Sequence, residues 1–347
     1  MSRAKRAQLI DEIQKERRSL LITYITSTRP NFEVPMAMDQ IRIIYDHIIK
    51  LLEPMNTKPS IDLFLYTNGG DGTVPWRLVT LLRGYASKFS VLIPFRCFSA
   101  GTLTALGADE IIMHPMGILG PTDPTAANQF NPDDPLNPGQ KIGINVEDVV
   151  AYLALLKEDA GIHHEDELIQ GVNILAQKVH PLALGNVKRL LSQSRMMAKK
   201  LLYLHMKEEE KSHKVDEIVD KLTSKLYFHG HPINRLEAKN DIGIENIKDP
   251  SERLEKLMWD LYLEYENEMK LTERFDLIAQ FLNEFPDQNI ETPQITSTKI
   301  AKLAYIESIN MSDVYVFYYS LSGTKRPDGR TEVMLLKKKE GWEKEKN

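Results

Sequence analysis

The chain has 347 residues, 42% of them hydrophobic, and a formal net charge of −5 from 44 basic and 49 acidic residues. This length allows one substantial core with a smaller appended unit, and the charge excludes the global basic field that is typical of nucleic-acid-binding proteins. A single cysteine, a charged first segment and the lack of any run of about 18 apolar residues predict a cytoplasmic protein with no disulfide, signal peptide or integral membrane segment.

Strands and helices alternate in the first third of the chain. An amphipathic, highly charged helix over residues 4–18 is expected either at the periphery of the protein or in an oligomer contact. Short apolar runs then predict buried strands at 20–25, 61–66, 89–95 and 110–113, and helical periodicity or small-residue segments predict helices at 37–52, 74–85 and 99–106. This order favours a mainly parallel sheet, whose functional sites lie beyond the carboxyl ends of its strands.

The rest of the chain, from residue 115, is predicted to form a long irregular segment, further helices and an appended unit. Six prolines lie between residues 115 and 139, and long irregular segments in compact domains are usually functional or mobile. Helices resume near 145 and 187, and we place the end of the main domain, 1–245, before a helical connector, 246–290. A small β-rich extension, 291–347, follows, and its last eleven residues are predicted to be a frayed tail.

Ser99 and a glycine loop occupy the ends of two neighbouring predicted strands. Ser99 begins the small-residue segment that opens the helix at 99–106, where its hydroxyl could simply cap the helix. Alternatively, a hydroxyl beside a positive helix end can act as a nucleophile whose developing negative charge is stabilised. Backbone N–H groups for such an oxyanion are available at Gly69, Gly70 and Ala100.

No base for Ser99 is evident from local sequence. None of the nine histidines is tied to Ser99 by spacing, and His114 is expected to satisfy a local hydrogen bond. A lysine can replace histidine when an apolar site keeps it neutral. Cys97 is interpreted as a small buried residue and Asp71 as a residue that fixes the glycine turn.

The two segments TNGGDG, 67–72, and FSAGTLTALGADEIIMHPMGILGPTDP, 98–124, together resemble the ClpP/crotonase superfamily. Within it, the chain is most similar to the serine dehydrogenase proteinase group, which is related to signal peptide peptidase A and to NfeD-type serine proteases. The resemblance covers roughly residues 15–245. It implies an α/β fold with a ClpP/crotonase-like layered β-sheet and flanking helices, followed here by the C-terminal helical and small β extension.

The resemblance also implies roles for particular residues. Ser99 would be the nucleophile, and Gly69, Gly70 and Ala100 would form the oxyanion hole. Several relatives use a Ser-Lys dyad, and the segment KIGINVEDVVAYL places Lys141 at the lysine position, 42 positions after the serine. Lys178 is the reserve base. The chain departs from many relatives at Asn68, where they have a proline before the glycine pair.

The leading hypothesis is therefore a serine peptidase that acts on a peptide or protein substrate through a Ser-Lys dyad. One alternative is a catalytically inactive binding or assembly protein of the same fold, and another is a crotonase enzyme that acts on acyl-CoA. The relatives oligomerise through this fold, so a homo-oligomer is predicted, and a membrane-protein partner is compatible with the sequence. No cofactor is predicted, and His229 and His231 lack the neighbouring ligands that a metal site would need.

Overall fold

A computed structural model describes residues 3–126, 128–135, 137, 139–206, 208–224, 230–286, 290–326 and 328–345. The helices are α1 (Arg3–Arg17), α2 (Asp39–Leu52), α3 (Val74–Tyr85), α4 (Ala100–Leu106), α5 (Val146–Ala154), α6 (Glu165–Lys178), α7 (Pro181–Leu202), α8 (Glu208–Ser224), α9 (Arg235–Glu237), α10 (Glu252–Met269) and α11 (Leu277–Glu284). Two π-helical turns span Leu155–Asp159 and Ala238–Ile242.

The strands divide among three sheets. They are β1 (Leu20–Thr26), β2 (Ser60–Tyr66), β3 (Lys88–Ile93), β4 (Arg96–Cys97), β5 (Glu110–Met113), β6 (Ile118–Leu119), β7 (Thr125–Ala126), β8 (Ile144–Asn145), β9 (Ile233–Asn234), β10 (Ile247–Lys248), β11 (Ile290–Ile295), β12 (Lys299–Ser308), β13 (Met311–Lys325) and β14 (Thr331–Lys344). The main sheet has the order β10-β5-β3-β2-β1-β12-β13-β11, and β14 pairs with β13.

The parallel half of the main sheet is buried on both faces. Successive side chains of a strand point to opposite faces. Accordingly, Leu63 and Leu65 of β2 pack into a core with α2, α3, α4, α7 and α8. Phe64 and Tyr66 face the opposite side, where they pack with α1 and α10. The continuous apolar runs of these strands follow from this double burial, and the predicted α/β fold class is confirmed.

Helix α1 is part of the core rather than peripheral. Its Ile10 and Ile13 are fully buried beside α10, although the helix is highly charged. The charge is accommodated by a buried cluster in which the Arg6 guanidinium forms hydrogen bonds to both carboxylate oxygens of Glu307. Tyr265 donates a hydrogen bond to the same carboxylate. Such a pair offsets the cost of burying each charge alone.

The C-terminal strands continue the main sheet. Strand β12 pairs antiparallel with β1, with Tyr24 opposite Ile306, so the sheet crosses the boundary that the sequence places at residue 245. Strand β14 extends to Lys344. The prediction of a frayed tail is wrong for residues 337–345, because Glu345 accepts hydrogen bonds from Lys302 and Ser312.

Candidate active site

Ser99 lies at the start of α4 with a strained backbone. Its φ is 51° and its ψ is −111°, and its side chain makes no capping hydrogen bond. A non-glycine residue with positive φ is uncommon, and such strain is concentrated at functional sites. The simple helix-cap interpretation of Ser99 is therefore wrong, since its hydroxyl satisfies no N–H of the helix.

The glycine loop packs directly against this strained residue. A Cβ built on Gly69 would lie 2.7 Å from Ser99 Cβ and 2.8 Å from the carbonyl oxygen of Phe98. Gly69 has φ +98° and Gly70 has φ +155°. These positions require glycine for both conformation and close approach, as the sequence predicts for this loop.

The N–H groups of the loop and the helix are not equivalent. Gly69 N–H donates to Thr67 Oγ1 at 2.9 Å, so this group, which sequence analysis assigns to the oxyanion hole, is already occupied. In the described part of the chain, the N–H groups of Gly70 and Ala100 have no hydrogen-bond partner. Two donors thus flank Ser99 at the positive end of α4, where a developing anion is stabilised.

Two hydroxyl groups hold these elements in place. Thr26 Oγ1 donates to Thr67 Oγ1 at 2.8 Å and thereby ties the glycine loop to β1. Thr102 Oγ1 accepts the N–H of Gly120 at 3.1 Å, which ties α4 to the segment after β6. Both threonines are fully buried. The candidate site is therefore built on rigid strand ends and the first turn of a helix.

Ser99 opens into a cavity of about 540 Å³. One wall is the glycine loop, and a second wall comes from the segment that follows β6 and from α7. The lining residues are Asn68, Gly70, Asp71, Gly72, Thr73, Ser99, Leu103, Thr122, Asp123, Pro124, Leu190, Gln193 and Ser194. Ser194, Met197 and Ala198 are buried on α7, and the helical spacing of small and apolar residues along this segment was the available sequence signal.

Neither of the predicted lysine bases lines this cavity. Lys141 Nζ lies 2.7 Å from Asp133 Oδ1 in a bridge across the irregular excursion, and Lys178 is exposed at the end of α6. However, the chain three residues after Lys141 enters β8, which pairs with β7 directly beyond the cavity wall at Pro124. Lys141 is thus attached to this wall without reaching Ser99.

The described histidines also lie outside the cavity. His114 Nδ1 accepts the N–H of Met116 at 3.0 Å, its ring stacks on Trp259, and burial lowers its pKa. The predicted local role of His114 is confirmed. His231 contacts Glu237, while His229 lies outside the described residues. No group of three or more His, Cys, Asp and Glu side chains within the described ranges is arranged to hold a metal.

Two further interpretations of side chains near Ser99 are confirmed. Cys97 is completely buried, and burial raises the pKa of its thiol far above the usual range, so it is not a nucleophile. Asp71 Oδ1 accepts the N–H and the hydroxyl of Thr73 at 2.8 and 2.7 Å and thereby fixes the end of the glycine turn.

The first half of the chain matches a known family. Residues 1–170 match the family model described as ClpP-like SDH-type serine proteinase. Two relatives are uncharacterized proteins of Methanocaldococcus jannaschii. MJ1495 is 25% identical over 243 residues, covering 70% of this chain and 71% of that protein, and MJ0137 is 29% identical over 121 residues, covering 34% and 42%.

Solved structures of a protease also align with the chain. A mutant of the 1510-N membrane-bound stomatin-specific protease aligns with a TM-score of 0.39 and 15% identity, covering 69% of this chain and 85% of that one. A second mutant, in complex with a substrate peptide, gives a TM-score of 0.26 and 14% identity over 70% and 99% of the two chains. Among the described residues, no helix has the length and apolar character needed to cross a membrane.

Proposed function

We propose that this chain, whose residues 1–170 match the model of the ClpP-like SDH-type serine proteinase family, hydrolyses peptide bonds with Ser99 as its nucleophile. The observation that carries the proposal is the strained backbone of Ser99, held against the glycine loop with no capping bond. A serine that only capped α4 would not need this conformation. The test is covalent labelling of Ser99 by a fluorophosphonate, located by mass spectrometry.

The proposed reaction forms and then hydrolyses an acyl-enzyme. Ser99 Oγ attacks the peptide carbonyl carbon while its proton passes to neutral Lys141, and the N–H groups of Gly70 and Ala100 donate to the oxyanion. The C–N bond then breaks as Lys141 returns the proton to the leaving amine. Water attacks the acyl-enzyme in the second half of the cycle and restores the Ser99 hydroxyl. Gly69 acts here through its close packing, because its N–H serves Thr67.

Lys141 must leave Asp133 to act as the base. The Asp133 carboxylate holds the Lys141 amine at 2.7 Å, and Lys141 does not line the cavity into which Ser99 opens. The excursion that carries Lys141 is joined to the cavity wall by the β7–β8 pair, and Asp133 is 82% exposed, where an ion pair contributes little. These features support a movement of Lys141 toward Ser99 when substrate binds or subunits assemble.

Lys141→Ala is expected to lower the rate of Ser99 labelling and of peptide hydrolysis by at least about 10²-fold, because general-base catalysis contributes this much or more. The measurement is the second-order labelling rate followed by intact-protein mass spectrometry. Lys178→Ala is the matched control, since Lys178 is an exposed lysine on α6, and it should retain the wild-type rate. If Lys141→Ala keeps that rate and Lys178→Ala loses it, the base is Lys178.

A homo-oligomer is proposed to assemble through α6. This helix exposes Ile169 and Val172, which lie three positions apart on one helix face, at 56% and 42% of their surfaces, and Gly171 is its only buried residue. Clustered exposed apolar side chains are typical of interaction surfaces. Helix α6 follows Lys141 in the sequence. Assembly through α6 would therefore restrict the movement of the irregular excursion that carries Lys141.

Ile169→Glu combined with Val172→Glu is therefore expected to shift the protein from an oligomer toward a monomer, measured as molar mass by light scattering. A carboxylate at an apolar contact must be desolvated without a partner. Gln170→Glu adds the same charge at an exposed polar position of α6 and should leave the mass unchanged. A monomeric wild-type protein would contradict the proposed assembly.

The rival function is a binding protein that retained the fold without catalysis. It is favoured by one observation, namely that Lys141 is engaged by Asp133 and no lysine or histidine lines the cavity among the described residues. The two functions differ in the labelling experiment. A binding protein leaves Ser99 unlabelled at concentrations of reagent that label serine peptidases.

A further inference from the structure

A second cavity of about 500 Å³ lies between residues 31–40 and the outer strands of the main sheet. Its floor is apolar and rigid. Phe32 and Leu303 are 8% and 6% exposed, and the Phe32 ring packs edge-on against Phe317 at 5.5 Å. Leu335 of β14 and Val34 complete the apolar walls. We call this cavity the Phe32 groove.

The rim of the Phe32 groove is acidic. Glu33, Asp39 and Glu340 are exposed residues that line it. Asp39 accepts a hydrogen bond from Trp342 Nε1 at 3.1 Å, and Glu340 pairs with Lys337 outside the groove. Within the described chain no lysine, arginine or histidine lines the groove. An apolar floor beneath three carboxylates is complementary to a peptide whose apolar side chains alternate with basic ones.

The groove shares a backbone segment with the glycine loop. Pro35 and Ala37 line the groove, and the fully buried Met36 lies between them. Met36 N–H donates to Gly69 carbonyl oxygen at 2.8 Å, and Met36 carbonyl oxygen accepts the N–H of Asp71 at 3.0 Å. These two bonds clamp Gly70 from both sides.

The contact at Gly70 is tight enough to transmit a small displacement. A Cβ on Gly70 would lie 2.4 Å from both the nitrogen and the oxygen of Met36, so the two backbones already touch. Packed segments of this kind move together rather than independently. A ligand that fixes Pro35 and Ala37 therefore also fixes the position of the Gly70 N–H.

We propose that the Phe32 groove is an effector site for a peptide segment with alternating apolar and basic side chains, and that its occupation positions Gly70 through Met36. The effect on catalysis rests on the proposed function, in which Gly70 donates to the oxyanion. Binding in the groove does not depend on that function. The apolar side chains of the peptide pack on Phe32 and Leu303, and its basic side chains meet the acidic rim.

Binding is tested with fluorescein-labelled Lys-Leu-Lys-Phe-Lys-Leu and the matched peptide in which each lysine is glutamate. Fluorescence anisotropy of the full chain should show saturable binding of the first peptide only. Leu335→Lys should weaken binding at least about tenfold, as is typical when an unfavourable charge enters an apolar contact. Met334→Lys is the control, because Met334 neighbours Leu335 on β14 but is 66% exposed and faces the other side of the strand. The proposed site is contradicted if the two peptides bind equally well. It is also contradicted if the lysine peptide binds equally well to the Leu335→Lys and Met334→Lys variants.

The link to Gly70 is tested by two readouts on the same samples. Saturating lysine peptide should raise the rate of Ser99 labelling at least about fivefold, a coupling typical of two linked sites, and should slow hydrogen exchange in residues 36–37 and 69–71. Failure of the proposed function alone would remove the labelling but leave the exchange effect. Binding with no change in exchange overturns the coupling, whatever the labelling result.

Discussion

Ser99→Ala is expected to abolish covalent labelling and to lower peptide hydrolysis by more than about 10³-fold, because loss of a nucleophile removes the acyl-enzyme route altogether. Ser99 is half-buried, lines the cavity and begins α4 without a capping bond. The measurement combines turnover of quenched fluorescent peptides with mass spectrometry of the labelled protein. The variant should fold normally, since alanine keeps the Cβ and removes only a hydroxyl.

Ser194→Ala is the matched control for this experiment. Ser194 lines the same cavity, but its hydroxyl donates to the carbonyl oxygen of Thr122 at 2.5 Å. Its loss should cost about 1 kcal/mol of stability, as for a typical buried hydrogen bond, and leave the labelling rate unchanged. Equal labelling of wild type and Ser99→Ala would place the reactive residue elsewhere and would contradict the proposed nucleophile.

Ser99→Gly tests whether the backbone strain at Ser99 or a structural role of its hydroxyl has the larger effect on stability. A positive φ of 51° in a non-glycine residue costs about 1–3 kcal/mol, and glycine removes this strain. Glycine also lowers the stability by up to about 1 kcal/mol, because it loses more conformational entropy on folding. The free energy of unfolding in urea should therefore rise by about 1 kcal/mol while labelling is lost. A fall in stability would instead assign the hydroxyl a structural role.

Gly70→Ala is expected to slow labelling of Ser99 by at least about 10²-fold, the usual effect of losing one oxyanion donor. The new Cβ would lie 2.4 Å from the backbone nitrogen and oxygen of Met36, and φ is +155°, so the loop must shift. The accompanying strain should lower the free energy of unfolding by about 1–3 kcal/mol. Thermal unfolding and labelling rates measured on the same preparation separate the two effects.

Gly72→Ala is the control for the glycine loop. A Cβ at Gly72 meets no atom within 4 Å, although this residue lines the same cavity. Both stability and the labelling rate should stay near wild type. A Gly70→Ala protein that labels at the wild-type rate would show that this N–H does not serve the oxyanion, whatever its stability.

Local patterns in the sequence predict the elements that carry the site. Residues 74–85 form α3 with the predicted bounds, and the strand predicted at 110–113 is β5, because apolar runs and helical periodicity are set by neighbours within a few residues. The glycine loop and Ser99 are close in space because both follow parallel strands, whose carboxyl ends meet at one edge. The approach is so close that a Cβ placed on Gly69 would lie 2.7 Å from Ser99 Cβ.

The sequence by itself thus determined the α/β class, the resemblance of residues 1–170 to the ClpP-like SDH-type serine proteinase model, and the pairing of a hydroxyl with a glycine-rich turn. Only the tertiary structure decided which N–H groups are available, because the bond from Gly69 to Thr67 depends on how the loop folds back. It also decided that α7 walls the cavity and that β12 joins β1. Contacts between residues hundreds of positions apart depend on the complementarity of whole surfaces, for which short-range periodicity carries no signal.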